Sequence, residues 1–83
     1  MKIYMDGTMY EGTGMEIMES LRQQSFDPTE YPDTESYIWQ LRENFIRTTG
    51  LDCILPESDV ERQAQTMIAH LAKAGSLEVL EDG

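Results

Sequence analysis

The chain holds one cysteine, one histidine and six basic residues in 83. With Cys53 alone, no intramolecular disulfide can form, so nothing calls for an oxidising compartment and a cytoplasmic protein is expected. The sequence has no metal-ligand spacing and no glycine-rich phosphate loop, so neither metal nor cofactor is expected. No apolar stretch approaches the roughly 18 residues of a membrane span, and the start of the chain lacks the apolar run of a secretion signal. A soluble chain follows from both. The shortage of bases is the most telling: sixteen acids against six Lys and Arg leave a formal charge of −10. Nucleic acid phosphates and anionic membranes repel such a chain, so its expected partners are other proteins, basic ones foremost, or a second copy. No small-molecule ligand is inferable.

What is present argues for a folded domain. Hydrophobic residues make up 40% of the chain, six of them Met, and they recur at structured periods, unlike those of a disordered acidic tail. Surface scaling for this size lets a bit over 60% of the extended chain's surface be buried, enough for one small core. No repeat, low-complexity run or boundary divides the 83 residues, so a single domain is expected.

Asp6-Gly7, flanked by Lys2–Met5 and Thr8–Glu11, reads as a two-residue type I′ hairpin turn. Alternation puts Ile3, Met5, Thr8 and Tyr10 on one face and Tyr4 and Met9 on the other, and leaves open which is inward. Thr13 and Glu16 match a capping box opening a helix over 14–25, with Ile17, Met18 and Leu21 on one arc. Pro28 and Pro32 then make a rigid connector, with one possible turn at Asp27-Pro28-Thr29-Glu30. A second helix begins near Thr34 and stops before Gly50, a residue suited to a left-handed cap. Its main stripe is Tyr37, Ile38, Leu41 and Phe45. A brief extended segment is expected over 51–55, closed by Pro56. Ser58 and Glu61 match a second capping box, and with Gly75 as its stop they bound a third helix over 59–74 with the stripe Val60, Ala64, Met67, Ile68 and Leu71. Residues 76–81 alternate as a strand, with Leu77 and Val79 on one side, and should join the hairpin. The expected fold is α+β in the order ββαααβ, a small antiparallel sheet with helices packed on one face.

Chemistry-bearing residues are few. A Cys53–His70 pair would need the imidazole to hold the thiol as thiolate. His70, near the end of its helix, reads better as a capping or surface residue, and Cys53, beside Ile54-Leu55, as a small buried apolar one. Asp27, Glu30, Asp33 and Glu35 lack calcium-loop spacing, and helix capping explains Asp27 and Asp33. Glu78, Glu81 and Asp82 read as a solvated strand edge that discourages aggregation. Trp39 and Ile46 differ from all of these. On the second helix they lie away from the main stripe with Arg42 between them, and Trp and Arg are enriched where interfaces draw their energy. Either a partner covers this face or another element of the same fold does.

The run 71–80 resembles the end of a winged-helix recognition helix entering its wing, which would imply DNA binding. The third helix carries only Arg62, His70 and Lys73 beside Asp59 and Glu61, and no second wing strand follows, so an enzyme or a DNA binder of this kind is not the preferred reading. Over most of its length the chain resembles a family of small uncharacterised bacterial proteins. The likeness rests on Tyr10-Glu11-Gly12-Thr13, Glu16-Ile17-Met18, Leu21-Arg22, Tyr37 with Trp39, and Glu61-Arg62-Gln63-Ala64 leading to Leu71 and Gly75, with Gly14 where a Pro is expected. These motifs are structural and imply no catalytic residue. The residues together point to a non-enzymatic interaction or regulatory module binding a protein, or itself, through Trp39, Arg42 and Ile46. An acidic surface that mimics a nucleic acid and sequesters a basic protein is the alternative.

Overall fold

Both residues of the Asp6-Gly7 turn have positive φ, 50° and 81°, the type I′ backbone whose twist suits a two-residue hairpin. The structure is a computed structural model and describes residues 1–24, 33–57 and 59–81. The turn joins β1 (Lys2–Met5) to β2 (Thr8–Glu11), with Ile3 opposite Tyr10 and Tyr4 opposite Met9. β3 (Glu78–Glu81) pairs antiparallel with the other side of β1, giving the order β2-β1-β3. Lys2 faces Glu81 while Ile3 faces Val79, so Leu80 is the extra residue of a bulge. Ile3 is fully buried, and Met5 and Tyr10 pack beside it at the margin of the core, whereas Tyr4 and Met9 are exposed. That fixes the inward face of the hairpin.

Three helices, α1 (Gly14–Gln23), α2 (Thr34–Thr49) and α3 (Val60–Lys73), lie between the hairpin and β3 in the chain. The fold is α+β, a three-stranded antiparallel sheet with helices packed against it. Ile17, Met18 and Leu21 of α1, Ile38 and Phe45 of α2, and Ala64, Met67, Ile68 and Leu71 of α3 meet Ile3 and Leu77 in one buried cluster. These are the stripes the helical period predicts, with Tyr37, Leu41, Val60 and Val79 half-buried at the margin. Each fully buried aliphatic side chain contributes about 1.5–3 kcal/mol, so this cluster rather than helix propensity holds the helices in place. Gln63 is the one buried polar side chain among the described residues; its amide donates to the Pro56 carbonyl at 3.2 Å.

The helix ends are set locally. Gly50 and Gly75 are left-handed at φ 72° and 84°. Beyond α3, Ser76 N–H donates to the Leu71 carbonyl at 2.9 Å and Gly75 N–H to that of Ala72 at 3.0 Å, the paired bonds of a Schellman end. Between α2 and α3, Cys53 and Leu55 turn inward and Ile54 outward, the alternation of extended chain, but the segment forms no strand. The N-cap of α3 is Asp59, whose Oδ1 accepts from Arg62 N–H at 2.8 Å, and Glu61 serves another helix altogether. Ser58, the turn at Asp27-Pro28-Thr29-Glu30, Pro32, Ser25 and Asp82 lie outside the described residues.

Candidate functional site

The start of α1 gathers carboxylates. Thr13 and Glu16 form the expected capping box: Glu16 N–H donates to Thr13 Oγ1 at 3.1 Å and Thr13 N–H to Glu16 Oε1 at 2.9 Å. The two remaining donors of the first turn go to Glu61 on α3, Gly14 N–H to Oε2 at 2.8 Å and Met15 N–H to Oε1 at 2.9 Å. Gln65 also donates to Oε2, at 2.7 Å. Burial pushes the Glu61 carboxyl up, but the donors from Met15, Gln65, Gly14 and Thr13 outweigh it and hold the group below the usual carboxylate range. A Cβ at position 14 would sit 2.8 Å from Glu61 Oε2 and 3.2 Å from the Ala64 Cβ. Glycine is therefore present where proline is common: the contact needs both the N–H and the missing side chain. A hollow of about 480 Å³ opens over this helix start, with Glu11, Glu16 and Glu61 in its lining. The positive end of the helix, a natural anion site, is already filled by a carboxylate of the chain itself.

Asp33, Glu19, Cys53 and His70 also have partners inside the fold. Asp33 caps α2 by accepting from Ser36 N–H at 2.8 Å, and that bond and the Ser36 hydroxyl depress its carboxyl. Glu19 accepts from the Thr34 hydroxyl at 2.6 Å and the Gln23 amide at 2.9 Å, tying α1 to the start of α2; the Thr34 bond foremost lowers its pKa. Cys53 is buried with its thiol 3.9 Å from the Met67 sulfur, and burial pushes that thiol up against a smaller pull from Arg42. His70 is half-buried, its Nδ1–H donating to the Thr66 carbonyl at 2.9 Å and its ring standing edge-on to Phe45 at 6.0 Å. It packs within the fold instead of capping α3. No hydrogen bond joins Cys53 to His70 among the described residues. Nor, among those residues, do three His, Cys, Asp or Glu side chains gather as a metal site would need. No described helix is long and apolar enough to cross a membrane.

The outer face of α2 is arranged differently. Trp39 is 39% exposed, with the Arg42 guanidinium 5.5 Å from its ring centroid. Arg42 is held in turn by its Nε–H, which donates to the Cys53 carbonyl at 2.6 Å. This stacking of a cation on an aromatic face is favourable by roughly 0.5–1 kcal/mol at an exposed position. Ile46 is half-buried and packs against the core margin. Beside it lies a hollow of about 300 Å³ lined by Arg42, Glu43, Ile46 and Arg47. Glu43 and Arg47 were not singled out by the sequence reading, although their spacing from Trp39, four and eight positions on, was the available signal. Residues 39–47 hold two arginines and one glutamate, and exposed Glu35, one turn before Trp39 on the same side of the helix, balances them, so this face is neutral on a strongly negative chain. The sheet's outer surface also carries exposed apolar residues, Tyr4, Met9 and Leu80, among the carboxylates of Glu11, Glu78 and Glu81. Comparison with protein-family models, with curated proteins and with solved structures finds no match.

Proposed function

We propose that the protein is a non-enzymatic binding module that engages a protein surface through the outer face of α2, with Trp39, Arg42 and Ile46 at its centre. One observation carries this reading: Trp39 is exposed yet held, stacked by Arg42, which is itself anchored to the Cys53 carbonyl. An aromatic fixed before contact loses little conformational freedom on binding, and that saving is what distinguishes an interface anchor from an ordinary exposed side chain. Both Glu61 oxygens are bonded within the fold, and buried Cys53 has no hydrogen bond to His70 among the described residues; this supports the non-enzymatic part, since a catalytic carboxylate needs a bonding position left for substrate and a nucleophile needs a base beside it. The expected outcome of Trp39→Ala is loss of association, whether with itself or with a captured partner, at an unchanged far-ultraviolet circular dichroism spectrum. An unaltered association state together with an unaltered set of partners would sink the proposal.

A second reading, an acidic surface that sequesters a basic protein, draws on one arrangement: exposed Glu11 on one edge strand and Glu78 and Glu81 on the other flank the sheet. Added salt must weaken such a complex, because screening removes its main attraction. Binding to a basic protein that is unchanged between low and high salt rejects this reading.

A further inference from the structure

We infer that the partner this face fits is a second copy of the chain, docked with the two α2 helices antiparallel across a two-fold axis passing between Arg42 and Glu43. The inference rests on the reading of the Trp39 face as a binding surface and names its occupant. Trp39, Arg42, Glu43 and Ile46 stand at i, i+3, i+4 and i+7, which is one stripe of a helix. Reversing the helix about the midpoint of that stripe exchanges position 39 with 46 and position 42 with 43. Each Trp39 then lies against Ile46 of the second copy, and each Arg42 meets Glu43 of the second copy, twice over. Trp39 and Ile46 are separated by about 10 Å along the axis at 1.5 Å per residue, so the two indole contacts flank the central charge pairs.

The local chemistry fits that occupant. The hollow of about 300 Å³ beside Ile46 is where the indole of the second copy would enter, with Arg42 and Arg47 on its walls. Arg42 spends its Nε–H on Cys53 and keeps the other four of a guanidinium's five donors for a carboxylate. Among the described residues Arg42, Glu43 and Arg47 form no ion pair. Two chains of charge −10 repel, and they approach at least cost where each is locally neutral and self-complementary. Pairing through the β3 edge would instead bring Glu78 and Glu81 of both copies together, a like-charge arrangement that disfavours contact. A single helix pair is smaller than the roughly 1,200 Å² of a stable interface, so a weak dimer is expected, monomeric at about 1 μM and associated near 1 mM.

Trp39 is the single tryptophan of the chain, so its fluorescence reports on this face alone. Sedimentation and tryptophan emission measured across that concentration range should follow one curve, the mass doubling as emission moves to shorter wavelength. Raising salt should tighten the dimer, because it screens the repulsion between two −10 chains. Glu43→Arg, which sets arginine against arginine on both sides of the axis, should weaken association about tenfold or more. The exchange R42E/E43R should restore it to within about threefold, since the pairs reform with their signs reversed. Arg42→Glu also gives up the bond to Cys53, so if the exchanged protein loses helical signal, Glu43→Arg alone decides. A protein that stays monomeric throughout overturns the second-copy inference and leaves the Trp39 face available to another partner. A dimer whose tryptophan emission does not move has its contact elsewhere and overturns the second-copy inference alone, and a dimer indifferent to Glu43→Arg overturns the antiparallel register.

Discussion

Glu61 and Arg42 are both half-buried charged side chains that bond to backbone of a distant segment, yet they are left in opposite conditions. Both Glu61 oxygens are committed, to Gly14, Met15 and Gln65. Arg42 has given one N–H to Cys53 and lies over an exposed indole. The first junction is closed: helix dipole, carboxylate and amide satisfy one another and present nothing more. The second is held in place and still open. In a chain this acidic, the number of carboxylates says little about partners; what matters is how much bonding capacity each charged group retains after folding.

The comparison breaks first at Glu61. Glu61→Ala strands two N–H groups at the α1 start and should cost about 2–3 kcal/mol in urea unfolding, with association unaffected once the protein is folded. Gly14→Ala should cost about 1–2 kcal/mol despite alanine's better helix propensity, because the new Cβ forces Glu61 and Ala64 aside. If that clash with Glu61 is the cause, the cost shrinks in the Glu61→Ala background. Glu61→Gln keeps the shape and removes the charge, for about 1 kcal/mol at neutral pH.

The pH dependence of stability follows from the same carboxylate. Its pKa is lowered on folding from the ordinary 4.5, so below that value the unfolded chain takes up the proton first. The contribution of Glu61 is complete above 4.5 and is lost as pH falls through the depressed folded value. Acid unfolding of Glu61→Gln should therefore be shallower than that of the wild type in this window. Trp39→Ala should leave the acid limb alone and cost no more than about 1 kcal/mol, the value of an exposed cation–π contact.

Much of this fold was legible because its punctuation is local. Asp6-Gly7, the Thr13/Glu16 box, Gly50 and Gly75 all act within a few residues of their place in the chain, and the structure uses each as expected. The failure at Ser58/Glu61 has the opposite cause. The spacing was right for a capping box, but Asp59 caps α3 and Glu61 reaches a helix start 47 positions away, a tertiary contact that no local pattern encodes. Gly14 was the clue, standing where a proline would have removed the N–H that Glu61 needs. The inward face of the hairpin was undecidable from alternation because both faces carry Met and Tyr; packing of Ile3 under the helices decided it. On α2, the helical period separated Trp39 from the core stripe. It could not reveal that Arg42 would be anchored by Cys53, eleven positions on.

The central claim is that the Trp39 face is kept for contact while the Glu61 junction is kept for stability. Trp39→Ala and Glu61→Ala, each measured for unfolding free energy and for association in the same buffer, test it most directly. The account predicts that Trp39→Ala abolishes association at a stability cost of no more than about 1 kcal/mol, and that Glu61→Ala costs more than twice as much and leaves association intact. Association that survives Trp39→Ala, or that fails with Glu61→Ala while the protein remains folded, would contradict it.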